Sequence, residues 1–293
     1  MPFGDQGLFV TCPRGKERTC MNEMLPLLHE YLEPYISNQG TQGEEEAEGE
    51  EEEKQGGEEE DIEAQIAREL NEIKQASLPS KRTIRVHRTS SECLCLFFLS
   101  RAMSNRPDLS ITALITRMIL DLSTPPIPVS VSEGTTEKSE SEGPRRRSRF
   151  VQRIYPLEHT CSALSLDKVK RTAEQCVVKA FGDAARREEP IKYRIELTIR
   201  NHDKPLSRSV IFDIFASILS PADKSQPTAA PLPIASLKPG TADLIVLVTV
   251  HENLFGVAVV DGKLWDGRGR RFNLQALAEE ALAAKEKVTN EKA

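Results

Sequence analysis

None of the six cysteines, at positions 12, 20, 93, 95, 161 and 176, forms a CxxC pair, and no histidine follows any of them at finger spacing. Spacing therefore gives no zinc ribbon, no zinc finger and no thioredoxin-type redox motif. Cys93 and Cys95 alternate with Leu94 and Leu96, which places them on one side of an expected strand, and the thiols read as buried and free in a reducing compartment. No apolar run approaches the roughly 18 residues that a membrane span requires. The N-terminal MPFGDQGLFVTC has neither a basic n-region nor an apolar h-region, so a soluble intracellular chain without a signal peptide is expected. Walker A, GxGxxG, GxSxG and HExxH patterns are absent as well. His159 and Cys161 come nearest to a nucleophilic pair, but nothing in the sequence supplies a third group to orient them. No catalytic residue, cofactor or metal ligand is expected.

Apolar residues are also scarce, at 39% of 293, and one segment accounts for much of the shortfall. Between Glu44 and Glu63 stand thirteen acidic residues opposed by Lys54 alone. Such a block repels itself and has almost nothing to bury, so it is expected to stay solvated and disordered. Removing its charge of −12 from the chain's −6 leaves +6 on the remainder. From Arg145 to Ser220 sixteen Lys or Arg face nine Asp or Glu, an excess of +7. A basic region of that size suits either an ordinary solvated surface or a phosphate-binding one.

The apolar pattern predicts a strand at Leu8–Thr11 and a helix from about Lys16 that Pro34 stops. A second helix is expected from Asp61, with Ile62, Ile66, Leu70 and Ile73 on one stripe. Strands at Thr83–Arg88 and Cys93–Leu99 flank a turn near Ser90 and Ser91. Ser110 is placed to cap a helix whose inward face is Ile111, Leu114, Ile115, Met118, Ile119 and Leu122. After a Ser/Glu/Gly-rich stretch and the basic run PRRRSR, a strand spans Phe150–Leu157 and a helix spans Asp167–Phe181 with Ser165 as its cap. Tyr193–Ile199 alternates cleanly, Ser207 opens a further helix, and Leu244–Val250 with Leu254–Val260 form a hairpin central to its sheet. A final Ala-rich helix is expected to fray. This order suits two α+β units with antiparallel or mixed sheets.

Within the second half, Arg153 lies on a strand before Pro156, and Arg200 leaves another strand next to Asn201. Guanidinium groups suit bidentate phosphate contact, and an amide can donate to phosphate or sugar oxygens. Lys168, Lys170 and Arg171 fall in a first helical turn, where free backbone N–H groups add to an anion site. A charged, solvated helix end accounts for the same residues.

Three strings taken together resemble THUMP domains: RIYPLEHTC (153–161), KYRIELTIRN (192–201) and DLIVLVTVHENLFGVAVV (243–260). With GLFVTCPRGKERTC and the acidic insert, the chain is similar to the eukaryotic stand-alone THUMP branch that serves as adaptor for the tRNA cytidine acetyltransferase. The resemblance implies an α+β protein in which an N-terminal ferredoxin-like domain packs against a C-terminal THUMP domain. The expected boundaries are 1–39 with 61–129 for the first domain, 40–60 for the disordered acidic linker and 130–148 for a flexible linker. The THUMP domain is then 149–262 and a helical tail 263–293. The implied role is non-catalytic: tRNA, leucine and serine tRNAs in particular, is presented to an RNA cytidine acetyltransferase that uses acetyl-CoA and ATP to form N4-acetylcytidine. The 31 residues after Gly262 and the motif-free stretch before Arg145 agree with catalysis in trans. Arg153, Lys168, Arg171, Arg200 and Asn201 are the expected RNA-binding residues, and Pro156 and Thr160 are expected to shape the loop that places them. No membrane or DNA partner is expected. The location implied is the nucleus, including the nucleolus, and the cytoplasm, with Arg145–Arg149 serving as an import signal or an RNA contact. A general RNA-binding assembly factor, or a THUMP-type modifying enzyme, is the alternative.

Overall fold

Glycine, leucine, phenylalanine and valine in succession make β1 (Gly7–Thr11), every residue of which is buried in the computed structural model. The structure describes residues 3–37, 83–87, 89, 91–123, 148–182, 189–219, 233–236 and 238–280. The acidic linker 40–60, the helix expected from Asp61, Arg145–Arg147, and most of the 130–148 and 221–241 stretches lie outside the described residues. After β1 come α1 (Glu17–Ser37), β2 (Ile84–His87), β3 (Leu94–Leu99), a single turn α2 (Arg101–Ser104), α3 (Ile111–Ser123) and β4 (Arg153–Leu157). The four strands form an antiparallel sheet in the order β2-β3-β1-β4. That is the ferredoxin-like β-α-β-β-α-β arrangement expected for the first unit.

All six residues of β3 are buried because this sheet is covered on both faces. Leu8, Val10, Phe97 and Leu99 face a core shared with Met24, Leu28 and Leu32 of α1 and with Ile115, Met118 and Ile119 of α3. Phe9, Leu96 and Phe98 face the opposite way and meet Leu157 and Leu254. Two local expectations change. The first helix contains Pro34 and continues to Ser37, because Tyr35 and Ile36 pack against the core and Arg106 donates to the Tyr35 carbonyl at 2.5 Å. Cys93 stands before its strand with φ of 65°, so it does not share the core-facing side with Cys95.

The expected boundary at residue 149 does not separate the sheets. RIYPL, read as the opening of the second domain, closes the first sheet instead, with Phe9 opposite Tyr155 and Leu8 opposite Pro156. An edge strand tolerates proline because one side of it has no ladder partner to lose. Directly after Leu157 the chain enters the second sheet as β5 (His159–Ser162), followed by α4 (Leu166–Gly182), β6 (Lys192–Arg200), α5 (Arg208–Leu219), β7 (Ile234–Ala235), β8 (Leu244–His251) and β9 (Leu254–Asp261). Its order is β5-β9-β8-β6-β7. β6 runs parallel to β8, while the β8–β9 hairpin and β5 are antiparallel, which makes the sheet mixed and places the hairpin centrally, as its apolar strands require. α4 and α5 cover one face through Val169, Cys176, Ile211 and Phe215. Gly256 is bare where the sheets meet: a Cβ there would lie 2.6 Å from Cδ2 of Leu157.

The described part of 263–293 is not a tail. α6 (Gly262–Asp266) and a 3-10 turn at Arg270–Phe272 lead into helical residues 274–280. Trp265, Phe272, Leu274 and Leu277 are buried in the same core as α1 and α3, and the Leu274 N–H donates to the Gln152 carbonyl at 2.9 Å. Apolar side chains at these four positions leave water, so the segment closes the first unit rather than extending from the second.

Candidate nucleic-acid interface

Each sequence-identified arginine owes its position to a strand end. Arg153 begins β4 opposite Thr11, and its backbone N–H donates to Thr11 Oγ1 at 3.1 Å. Arg200 ends β6 opposite His251, and its carbonyl accepts the Glu252 N–H at 3.2 Å. Although they belong to different sheets, the two arginines line one polar cleft of about 320 Å3, together with Thr11, Gln152 and Asn273. Among the described residues that line it, none is acidic. The Arg200 guanidinium lies 6.0 Å from the ring centroid of Phe9, a cation–π contact that holds the side chain across the seam.

Asn201 has another task. With φ of 51° it takes the left-handed turn that asparagine tolerates, and its Nδ2 donates to Ser91 Oγ at 2.7 Å. Ser91 Oγ is also 3.4 Å from His251 Nε2. The amide thus ties the end of β6 to the β2–β3 turn of the first unit, so it positions Arg200 rather than projecting freely. His251 is wholly buried and edge-on to Phe9. Burial pushes its pKa down, which keeps the ring neutral near pH 7.

Lys168 and Arg171 are exposed in the first turns of α4, whose start Ser165 caps by accepting the Lys168 N–H at 3.5 Å. Since Ser162 pairs with Leu254 and His251 with Arg200, this helix start and Arg200 share one end of the second sheet. They are separated by three strand spacings, roughly 14 Å, so Lys168 and Arg171 do not join the cleft. Pro156 and Thr160 do not lie in a loop. Pro156 is in β4, whereas Thr160 is in β5, accepting the Gly4 N–H at 3.0 Å and donating to the Asp5 carbonyl at 2.7 Å. Thr160 fastens the N-terminal segment to the second sheet.

The structure adds Lys16, which lay outside the counted basic stretch, and places Arg149 of that stretch beside it. Lys16, in the β1–α1 connection, and Arg149 stand over the Phe150 ring at 5.6 and 5.5 Å, close in the chain to the Cys12 and Gln152 lining of the cleft. The basic PRGKER string is a visible signal, but only the tertiary packing brings its Lys16 over Phe150.

The other end of β4 is different. A groove of about 560 Å3 between α3 and α4 contains Glu158, His159 and Lys179. Glu158 accepts the Ser110 hydroxyl at 2.8 Å, the Thr112 N–H at 3.0 Å and Lys179 at 3.2 Å. Burial alone would push its carboxyl up, but the bonds from Thr112 and Ser110 and the Lys179 charge more than offset this and hold it below the usual 4.5. Together with Ser110, whose hydroxyl accepts the Ala113 N–H, it caps the start of α3. His159 is pushed down by burial and the Cys161 thiol is pushed up by it, the reverse of an activated nucleophile.

No protein-family model matches the chain. It is 23% identical over 283 residues to the Saccharomyces cerevisiae protein named tRNA acetyltransferase TAN1, covering 94% of this chain and 86% of the yeast one. To an uncharacterised protein of Schizosaccharomyces pombe it is 25% identical over 272 residues, covering 92% and 75%. Among solved structures, a Pyrococcus horikoshii protein matches at 13% identity with a TM-score of 0.41, over 88% of this chain and 55% of that one. A 4-thiouridine synthetase in complex with RNA and ATP matches at 10% and 0.37, over 88% and 42%. This chain spans about half the length of those solved chains, and likenesses at that level carry no information about activity. The near-full-length yeast alignment leads to the same group of proteins as the motif order does.

Proposed function

We propose that this chain, a relative of yeast tRNA acetyltransferase TAN1 along nearly its whole length, acts in tRNA modification by binding tRNA and presenting it to a separate cytidine acetyltransferase. The observation that carries the reading is the junction cleft, where Arg153 and Arg200 from different sheets face the same space with no acidic lining among the described residues. Two guanidinium groups fixed by strand ends suit two phosphates of a folded RNA backbone. Lys168 and Arg171, on the same end of the second sheet, extend the basic rim along which a longer stretch of backbone lies. Asn201, Pro156 and Thr160 hold the frame. Leucine and serine tRNAs are the expected clients, N4-acetylcytidine the product, and the nucleus the expected location.

Binding is tested with purified full-length chain and tRNA at several salt concentrations. Arg153→Ala and Arg200→Ala should each weaken binding and lower the salt slope by about 0.7–0.9 for every phosphate that is no longer neutralised. Unchanged affinity and slope in both variants would refute the assignment of the cleft. The adaptor role is tested by measuring N4-acetylcytidine in tRNA from cells lacking this protein while the acetyltransferase is present. Loss from tRNA, with ribosomal RNA unaffected, supports it.

The name of the yeast relative favours a second reading, in which the chain itself transfers the acetyl group. The buried Cys161 thiol argues against covalent catalysis there. Acetylation of tRNA by the purified chain with acetyl-CoA and ATP, and no other protein, would establish the enzyme reading over the adaptor.

A further inference from the structure

We infer that Cys12, Cys20 and Cys95 form a buried three-thiolate site for one thiophilic d10 cation, Zn2+ or Cu+. Their three sulfurs lie within 4.8 Å of one another. Sulfurs each about 2.3 Å from a common ion stand about 4 Å apart, so the cluster closes on an ion with side-chain adjustment alone. All three residues are at most 2% exposed and come from separate segments: the residue after β1, the first turn of α1 and the second residue of β3.

The backbone around each ligand is already held. The Cys12 N–H donates to the Cys93 carbonyl at 3.1 Å and the Cys20 N–H to the Lys16 carbonyl at 2.8 Å. Cys95 Sγ donates to the Glu17 carbonyl at 3.3 Å, and the Glu17 carboxylate accepts the N–H groups of Cys93 and Gly15 at 2.8 and 3.1 Å. Glu17 therefore acts as the support that keeps the β1–α1 connection against β3, the kind of outer partner that orients ligands. An all-sulfur set of this kind selects soft ions over Mg2+ and Ca2+. Three thiolates around Zn2+ leave a net charge of −1, and around Cu+ a charge of −2. The arginines of the neighbouring cleft oppose that charge, while the Glu17 carboxylate at the start of α1 adds to it. Cys12 also lines the Arg153–Arg200 cleft. Binding exchanges thiol protons for the metal and releases them to buffer.

The test uses the reduced, metal-stripped full chain titrated with Cd2+, following the thiolate-to-cadmium charge-transfer band in the ultraviolet. One equivalent should saturate the band. Cys20→Ser and Cys12→Ser should each lose it or reduce it by about a third or more, while Cys176→Ala, which removes a buried thiol of the second core, should keep it in full. Competition then identifies the ion, since whichever of Zn2+ and Cu+ displaces Cd2+ at the lower free concentration is the preferred occupant. Folded wild-type protein that develops no band with a tenfold excess of Cd2+ overturns the inference, whatever the folding of the variants. A full band in folded Cys20→Ser overturns it equally.

Discussion

At one end of β4, Arg153 and Arg200 face a polar cleft with no acidic lining among the described residues. At the other end, Lys179 already has Glu158 as its partner, and Glu158 also serves two donors at the start of α3. Both places are seams between the same two sheets. One leaves its cations available to an outside anion, while the other commits its charges to the fold. An exposed basic patch becomes a candidate binding surface only where no carboxylate has neutralised it, and counting Lys and Arg along the chain does not separate the cases.

The comparison is broken most severely at Leu157, the wholly buried last residue of β4, which packs with Phe9 of the first sheet and Leu254 of the second. Leu157→Ala should destabilise the chain by about 2–5 kcal/mol, read from denaturant unfolding, and should disturb both seams. Glu158→Ala is expected to cost about 1–3 kcal/mol, because buried donors at the α3 start lose their acceptor, while leaving tRNA affinity at neutral pH nearly unchanged in the folded protein. Acid sharpens the same point. The Glu158 carboxyl is held below its ordinary 4.5 in the folded chain, so the unfolded chain binds that proton more tightly. Its contribution is present above pH 4.5 and fades as the pH falls through the lower folded value. Glu158→Gln should therefore show a flatter loss of stability than wild type when unfolding is followed from pH 6 down to about 3.

At the cleft the expected pattern is reversed. Arg200→Ala should weaken tRNA binding by about tenfold, or roughly 1.4 kcal/mol, while unfolding stability changes by about 1 kcal/mol or less. Lys168→Ala, on the rim and outside the cleft, should weaken binding by less than about threefold, with a similar fall in salt slope for each phosphate it leaves unneutralised. Binding assays at two salt concentrations separate these outcomes. An Arg200 variant that binds normally but unfolds early would assign that residue to the fold alone.

Much of the local structure is legible in the sequence. Ser110, Ser165 and Ser207 stand at expected helix starts, and each accepts a backbone N–H three residues on. The alternation of Tyr193–Ile199 and the apolar run of 244–260 mark the inner strands of the mixed sheet. Arg200 can be singled out because the end of its strand is visible in pattern, whereas Arg153 falls inside the expected Phe150–Leu157 strand and opens β4 only in the structure. What misleads is continuity: only Glu158 separates RIYPL from HTC, yet the sheets divide between Leu157 and His159. The segment after Gly262 looks like a tail because its buried apolar residues, Leu264, Trp265, Phe272, Leu274 and Leu277, have no regular spacing.

The amino-acid order by itself determined which segments become strands and helices, which faces they bury and where the helices begin, since these follow from periodicity and from side chains within a few residues. Tertiary pairing alone decided that β4 joins the first sheet, that Arg153 and Arg200 share a cleft, and that Cys12, Cys20 and Cys95 meet. Those neighbours are up to 83 positions apart in the case of the cysteines. Their meeting depends on which strand edges β1 satisfies, and backbone hydrogen bonding carries no trace of that choice in local spacing.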